Sequence, residues 1–110
     1  MRHPLEIEVI PDGHAVTLRL AGELDMATVP ALRACVESVD GEFGTLVLDL
    51  SALKFLDSSG IGFFASLHRE LEPQLRHLEL RGATDHVRHV LDLSGLSQFI
   101  ARHDDLEGIQ

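Results

Sequence analysis

The organisation of the chain is clearest around LDLSALKFLDSSGIG, residues 48–62. Residues 45–50 form a short, nearly continuous apolar run, which is typical of a central strand covered on both faces. Residues 51–57 are expected to form the loop that follows. A helix comes next, because apolar residues recur at three-to-four spacing from Ile61 to Leu71. Two serines and two glycines therefore lie where a loop meets the start of a helix.

Before this stretch, the sequence predicts an antiparallel hairpin. Apolar residues alternate with glutamates over residues 5–9, which is the period of a half-buried strand. The Pro-Asp-Gly sequence at residues 11–13 is a turn signal, because proline presets one backbone angle and glycine accepts a left-handed one. Residues 15–20 then form the second strand, and residues 22–25 (Gly-Glu-Leu-Asp) are expected to end it.

One further helix precedes the central strand, and more elements follow the second helix. The first helix begins near Val29; Asp25 or Thr28 can cap it, and Pro30 is tolerated because it falls in the first turn. The second helix is expected to end at Pro73. A strand at residues 75–81, a third helix from Thr84 or Asp85 to Gly95, and a short strand at residues 99–101 are expected to follow. Strands that alternate with helices need crossover connections, so the sequence predicts an α/β fold whose mixed sheet is mostly parallel and starts with a hairpin.

Length and composition fit one globular domain. The chain has 110 residues, of which 45% are hydrophobic and 25% charged, and domains of about 100–150 residues are common. We expect a single domain over residues 1–110, with a core over about residues 5–102 and a polar, acidic tail at residues 103–110 that frays. A domain of this size has little room for a deep catalytic cleft, which favours binding over multi-step chemistry.

The charge and the cysteine content restrict the partners and the compartment. The formal net charge is −9, and such a surface repels nucleic acids and anionic membranes and suits a partner with a basic patch. Cys35 is the only cysteine, which excludes an internal disulfide, and its apolar helical pattern predicts a core residue rather than a reactive thiol. No apolar run approaches the roughly 20 residues of a membrane-spanning helix. We expect a cytoplasmic protein that is a monomer, with a weak dimer as the alternative.

The serines and glycines at the start of the second helix have two interpretations. Ser58 or Ser59 can be a helix cap, and Gly60 and Gly62 can simply allow close packing. Glycine inside a helix nevertheless costs about 1 kcal/mol relative to alanine, and small residues leave the backbone approachable. The second interpretation is therefore a serine presented to the active site of another protein. The residues alone leave both open.

Enzymatic and metal-binding functions find little support. Residues 57–60 are not a Gly-x-Ser-x-Gly nucleophile elbow, and the sequence contains neither a phosphate-binding loop nor a dinucleotide fingerprint. His86 and His89 share a helical face, but no third and fourth ligand accompany them, as a structural zinc site requires. We expect no catalytic residue, no metal and no cofactor.

Three segments together resemble a known family. They are the Asp-Ser-Ser-Gly-Ile-Gly sequence at residues 57–62 with its preceding strand, Gly-Glu-Leu-Asp at residues 22–25, and Val-Arg-His-Val-Leu-Asp-Leu-Ser-Gly-Leu at residues 87–96. In this order and at this spacing, they resemble the STAS domains of anti-sigma factor antagonists over nearly the whole chain. The resemblance implies a sheet with helices mainly on one face and an exposed serine at the start of a helix.

The resemblance also implies a partner-switching cycle. Family members bind an anti-sigma factor that is also a serine kinase and thereby release its sigma factor. The kinase phosphorylates the first hydroxyl residue after the aspartate, here Ser58, and a metal-dependent serine phosphatase restores it. The partner-binding residues implied by the resemblance are Glu23, Asp25, Asp57, Ser58, Ser59, Gly60, Ile61 and Gly62. For Asp25, helix capping is an equally good interpretation.

Two other functions remain as alternatives. One is a STAS scaffold or accessory subunit that is not phosphorylated, of the stressosome or lipid-transport type. The other is an enzyme or a small-molecule binder built on the same fold.

Overall fold

The computed structural model describes residues 4–39, 43–96 and 101–102. Five strands and three α-helices lie in these ranges. In chain order they are β1 (Glu6–Asp12), β2 (Ala15–Leu24), α1 (Val29–Ser38), β3 (Thr45–Leu56), α2 (Ser58–Leu71), β4 (His77–Arg81), α3 (Asp85–Ser94) and β5 (Ala101–Arg102). A short 3-10 turn at Glu72–Gln74 follows α2. The order of strands and helices is the one predicted from the sequence.

The strands form one mixed sheet in the order β1-β2-β3-β4-β5. The first two strands are antiparallel, and the remaining neighbours are parallel. The prediction of a mostly parallel α/β sheet with an N-terminal hairpin is confirmed.

The helices cover one face of this sheet. Leu18, Leu48 and Leu80 lie side by side in register, and each is at most 1% exposed. The helices contribute to the same core Leu32, Phe63, Phe64, Leu67, Leu71, Val87 and Leu91. The next register row, which pairs Arg19 with Asp49, faces away from that core and is polar. Successive strand residues alternate between faces, so the predicted one-sided packing of the helices is confirmed.

The hairpin has a shorter turn than predicted. β1 continues through Pro11 and Asp12, and only Gly13 (φ 60°) and His14 form the turn. Proline is tolerated here because β1 is an edge strand, where a missing amide breaks no ladder on the outer side. Val9 was expected on the buried side, but it is 46% exposed.

The two central strands are longer than predicted, and the loop predicted at residues 51–57 is wrong. β2 continues to Leu24 and β3 to Leu56, and the two stay paired along this extension. Their pairing contains two register shifts, one after Arg19 and one after Gly22. Such bulges insert an unpaired residue and disturb the alternation of apolar and polar side chains. That disturbance made an extended strand look like a loop.

The last elements agree with the sequence more closely. Thr84 caps α3, which begins at Asp85, one of the two predicted starts, and Gly95 ends it in a left-handed conformation (φ 76°) as predicted. β4 begins at His77 rather than at Leu75, which is 87% exposed and left-handed (φ 60°). β5 contains Ala101, while the predicted strand residues 99 and 100 and the predicted frayed tail, residues 103–110, lie outside the described residues.

Two further observations concern Cys35 and the membrane. Cys35 is half-buried against the hydrophobic core, and burial raises the pKa of its thiol. It therefore lies at the border of the core and is less deeply buried than the sequence indicated. None of the helices in the described ranges has the length and apolar character needed to cross a membrane.

Candidate functional site

The candidate site lies at the carboxyl edge of β2 and β3. Leu24 and Leu56 are the last paired residues of these parallel strands. Beyond them the Asp57 amide donates a hydrogen bond to the Leu24 carbonyl at 3.3 Å. The connection into α1 and the start of α2 therefore lie next to each other, which brings the predicted residues 23–25 and 57–62 to one edge of the sheet.

Asp57 is the cap of α2. Its backbone is extended, and its Oδ1 accepts hydrogen bonds from the amides of Ser59 (2.9 Å) and Gly60 (3.3 Å). Of the two interpretations left open by the sequence, the one in which Ser58 or Ser59 caps the helix is wrong. Ser58 is already the first residue of α2, so the cap position just before the helix belongs to Asp57.

Ser58 is consequently exposed and available. Its side chain lies at the surface, and its hydroxyl makes no hydrogen bond to any residue that the structure describes. Its place in the first turn puts the hydroxyl near the positive end of the helix dipole. A reaction at this hydroxyl breaks no capping bond.

The two glycines of α2 differ in their surroundings. Gly60 is buried, and a Cβ there would collide with the side chain of Leu56 and come within 3.0 Å of Leu24. Gly62 is exposed, and a Cβ there would meet nothing within 4 Å. Close packing therefore explains Gly60, whereas no contact within the described chain requires a glycine at residue 62.

The connection into α1 is closed by a small hydrogen-bond network. Asp25 is 4% exposed, and its Oδ1 accepts from the amides of Ala27 (3.0 Å) and Thr28 (3.1 Å). The Thr28 hydroxyl donates to the Glu23 carbonyl at 2.9 Å and accepts from the Asp25 amide at 2.9 Å. Thr28, one of the two predicted caps, occupies the N-cap position of α1 but makes no side-chain cap hydrogen bond. The Asp25 carboxylate accepts from two amides that precede the helix, so it does not cap α1 either. The buried Asp25 carboxylate thus closes the loop before α1. Its role toward a partner stays a prediction.

The remaining predicted residues border the same edge. Glu23 is half-buried and pairs in register with Phe55, and Ile61 is half-buried on α2. Two large apolar residues outside the predicted site are also exposed here, Phe55 (42%) and Met26 (78%). A large apolar side chain in a connection predicted to lie at the surface was the signal that could have found Met26.

Metal binding finds no support in the described ranges. No group of three or more His, Cys, Asp or Glu side chains is close enough there to hold an ion. The site contains a hydroxyl at a helix start, the Asp57 carboxylate that caps α2, the Asp25 carboxylate bonded to loop amides, and exposed apolar side chains. Such an arrangement suits contact with another macromolecule.

Comparison with known proteins agrees with this geometry. An anti-sigma F factor antagonist from Lysinibacillus sphaericus is 34% identical over 87 residues, which cover 77% of this chain and 74% of the relative. A solved anti-sigma factor antagonist from Mycobacterium paratuberculosis has a TM-score of 0.80 and 27% identity, with 96% of this chain and 94% of that chain covered.

A second solved relative, the anti-sigma factor antagonist SpoIIAA, is represented in two forms. Its unphosphorylated form matches with a TM-score of 0.74 and 31% identity, over 96% of this chain and 92% of that chain. The phosphorylated Bacillus form matches with a TM-score of 0.67 and 30% identity, over 96% of each chain. The family model described as "Mlab, STAS domain" matches residues 8–102. The chain therefore belongs to the STAS domain family.

Proposed function

We propose that this chain is an anti-sigma factor antagonist controlled by phosphorylation at Ser58. In its unphosphorylated form it binds an anti-sigma factor that is also a serine kinase, and the sigma factor is released. Phosphorylation of Ser58 by that kinase ends the binding, and a metal-dependent serine phosphatase restores it. The chain itself acts as a binding protein in the cytoplasm and not as an enzyme.

The observation that carries the proposal is that Asp57, and not Ser58, caps α2. Asp57 caps α2, so Ser58 has no structural task and its hydroxyl is exposed. A kinase needs access to such a hydroxyl, and the open surroundings of Gly62 leave room for its active site. The names of the similar proteins and the two forms of SpoIIAA support the same function.

The electrostatics of the site support a local switch. A phosphate adds about −1.5 to −2 charges, and at a helix N-terminus this is favourable by about 0.3–1 kcal/mol. The fold is therefore expected to survive the modification. At an interface shaped around a neutral serine, the same phosphate adds volume and charge that must be desolvated. A hundredfold loss of affinity requires only about 2.7 kcal/mol, which a misplaced interfacial charge readily supplies.

The edge around Ser58 supplies the surface for the partner. The proposed contacts are Glu23, Asp25, Asp57, Ser58, Ser59, Gly60, Ile61 and Gly62. Of these, Asp25 and Gly60 are buried and contribute by shaping the surface, while Ser58 and Gly62 are directly exposed.

A second candidate function is a STAS scaffold or accessory subunit that is not phosphorylated. The matching family model favours it, because that model is described by the name Mlab rather than by antagonists. Such a subunit would hold its partner permanently and would not depend on the Ser58 hydroxyl.

Phosphorylation in the native host distinguishes the two functions. The wild-type chain, Ser58→Ala and Ser59→Ala are incubated with host lysate and Mg-ATP, and intact mass with fragment mapping locates any phosphate. We expect one phosphate on the wild type and on Ser59→Ala and none on Ser58→Ala. Absence of phosphate, under conditions in which other antagonists of the host are modified, would favour the scaffold. Phosphate at Ser59 alone would contradict the assignment to Ser58.

A further inference from the structure

Met26 and Ser58 occupy equivalent places on two neighbouring segments. Leu24 and Leu56 are the last paired residues of β2 and β3, and Met26 and Ser58 are each the second residue after them. Neighbouring strands lie about 4.7–4.9 Å apart, and the Asp57 amide still reaches the Leu24 carbonyl beyond the last pair. Met26 and Ser58 therefore follow directly on two segments that lie next to each other at this edge of the sheet.

The loop that carries Met26 is fixed, while its side chain is exposed. Hydrogen bonds of the Asp25 carboxylate and the Thr28 hydroxyl hold the backbone on both sides of it. The Met26 side chain is nevertheless 78% exposed. Because the backbone is already ordered, binding through this side chain has a lower entropic cost than binding through a mobile loop.

The edge of the sheet that carries Met26 combines apolar and acidic groups. Phe55 is 42% exposed and is paired in register with Glu23, one step before the last pair of β2 and β3. Methionine and aromatic side chains are enriched in the buried centres of protein interfaces, where a few of them fill pockets and dominate affinity. Glu23 and Asp57 place carboxylates in the same two segments, within a chain of net charge −9.

These charges distinguish between two occupants of the surface. A second copy of the chain would bring its own Glu23 and Asp57 to the contact, since a two-fold interface uses the same patch on both subunits. Like charges across an interface are unfavourable. A partner with an apolar pocket and a basic rim avoids this repulsion and fits the surface better.

We propose that Met26 is an anchor residue for the anti-sigma factor kinase and fills an apolar pocket of that protein. The assignment rests on the proposed function, because the partner is defined by its action on Ser58. Met26 contributes to the affinity of the complex and hence to the KM of the kinase for this chain. Phosphoryl transfer itself depends on the surroundings of Ser58, so kcat is independent of Met26.

The test uses the kinase that phosphorylates Ser58 in the lysate assay, purified after its identification by mass spectrometry. Titration calorimetry measures its affinity for the wild type, Met26→Ala and Met26→Leu. Leu93→Ala is the matched control, because Leu93 is a similarly exposed apolar residue (75%) on α3. Circular dichroism verifies that all variants are folded, as expected for exposed positions.

We expect Met26→Ala to weaken binding about 10- to 30-fold, the range of a strong interface contact. Met26→Leu keeps an apolar side chain and should stay within about threefold of the wild type, and Leu93→Ala should bind like the wild type. The KM for phosphorylation of Met26→Ala should rise by the same factor as its dissociation constant, at constant kcat.

Three results would overturn the proposal, and they are distinguishable. If Met26→Ala binds a kinase that phosphorylates Ser58 with normal affinity, Met26 is not an anchor residue, while the proposed function is unaffected. A wild-type chain that is neither phosphorylated nor bound would refute both the anchor role of Met26 and the proposed function. Self-association of the wild type that Met26→Ala abolishes assigns the surface to a second copy instead.

Discussion

The start of α2 contains two glycines at which the same substitution is expected to have opposite effects. A Cβ at residue 60 would collide with the Leu56 side chain and lie 3.0 Å from Leu24. Leu24 and Leu56 are 0% and 3% exposed, so neither can move without disturbing the core. At residue 62 a Cβ meets nothing within 4 Å.

The magnitudes follow from two opposing contributions. Alanine in place of glycine stabilises a helix by about 0.5–1 kcal/mol, and overpacking a core costs about 1–3 kcal/mol. Gly62→Ala is therefore expected to raise the free energy of unfolding by about 0.5–1 kcal/mol. Gly60→Ala is expected to lower it by up to about 2 kcal/mol. The helix contribution cancels between the two variants, so their difference measures the packing cost alone.

Urea unfolding followed by circular dichroism is the suitable assay, because the chain has no tryptophan or tyrosine for fluorescence. Equal m-values would show that only the stability has changed. The double variant Gly60→Ala/Leu56→Ala adds a test of cause. Removing the Leu56 side chain makes room for the new methyl group, so the two substitutions should couple favourably. A Gly60→Ala variant as stable as Gly62→Ala would refute the reasoning.

Two further predictions concern the cap of α2 and the turn before β4. Asp57→Ala should lower the free energy of unfolding by about 1 kcal/mol, since the Ser59 and Gly60 amides lose their acceptor. Asp57→Asn keeps an acceptor oxygen and should retain most of the stability of the cap. Equal losses for the two variants in the same unfolding assay would contradict the capping role. Leu75→Gly should raise the free energy of unfolding by about 0.5–1 kcal/mol. Leu75 is left-handed (φ 60°), and relief of its backbone strain outweighs the conformational entropy that glycine adds to the unfolded chain. Leu75→Ala, which keeps the strain, is its control, and equal stability of the two variants would disprove the explanation.

The order of elements could be predicted because each helix has local signals. Thr84 and Gly95 bound α3 in the sequence as they do in the structure, since a threonine cap and a left-handed glycine act over a single turn. The length of β3 could not be predicted in the same way. Its bulges leave buried leucines three residues apart, at Leu50, Leu53 and Leu56. That spacing differs from the alternation of a regular strand, and only the pairing with β2 explains it.

Prediction of the candidate site from the sequence is limited in a similar way. Asp57, Ser58 and Ser59 are three consecutive residues that all favour the cap position, so the sequence could not select one of them. The backbone geometry selects Asp57. The role of Ser58 was implied by family resemblance, and its exposed hydroxyl is what the structure adds. The exposure of Met26 depends on the network around Asp25, which composition and spacing do not reveal.

The choice of Asp57 as cap has a consequence for the proposed switch. If Ser58 were the cap, the phosphoryl group would be attached to the oxygen that holds the helix start, and phosphorylation would alter the cap and the interface together. With Asp57 in that role, the capping bonds to Ser59 and Gly60 do not involve the modified residue. The added charge then faces two opposing influences, attraction by the helix dipole and repulsion by the Asp57 carboxylate, and both are modest at an exposed position. In the proposed switch, the loss of affinity therefore arises at the interface, where the phosphate occupies the volume that the partner needs. Both the phosphorylated and the unphosphorylated form of SpoIIAA match this fold, which supports a local basis for the proposed switch.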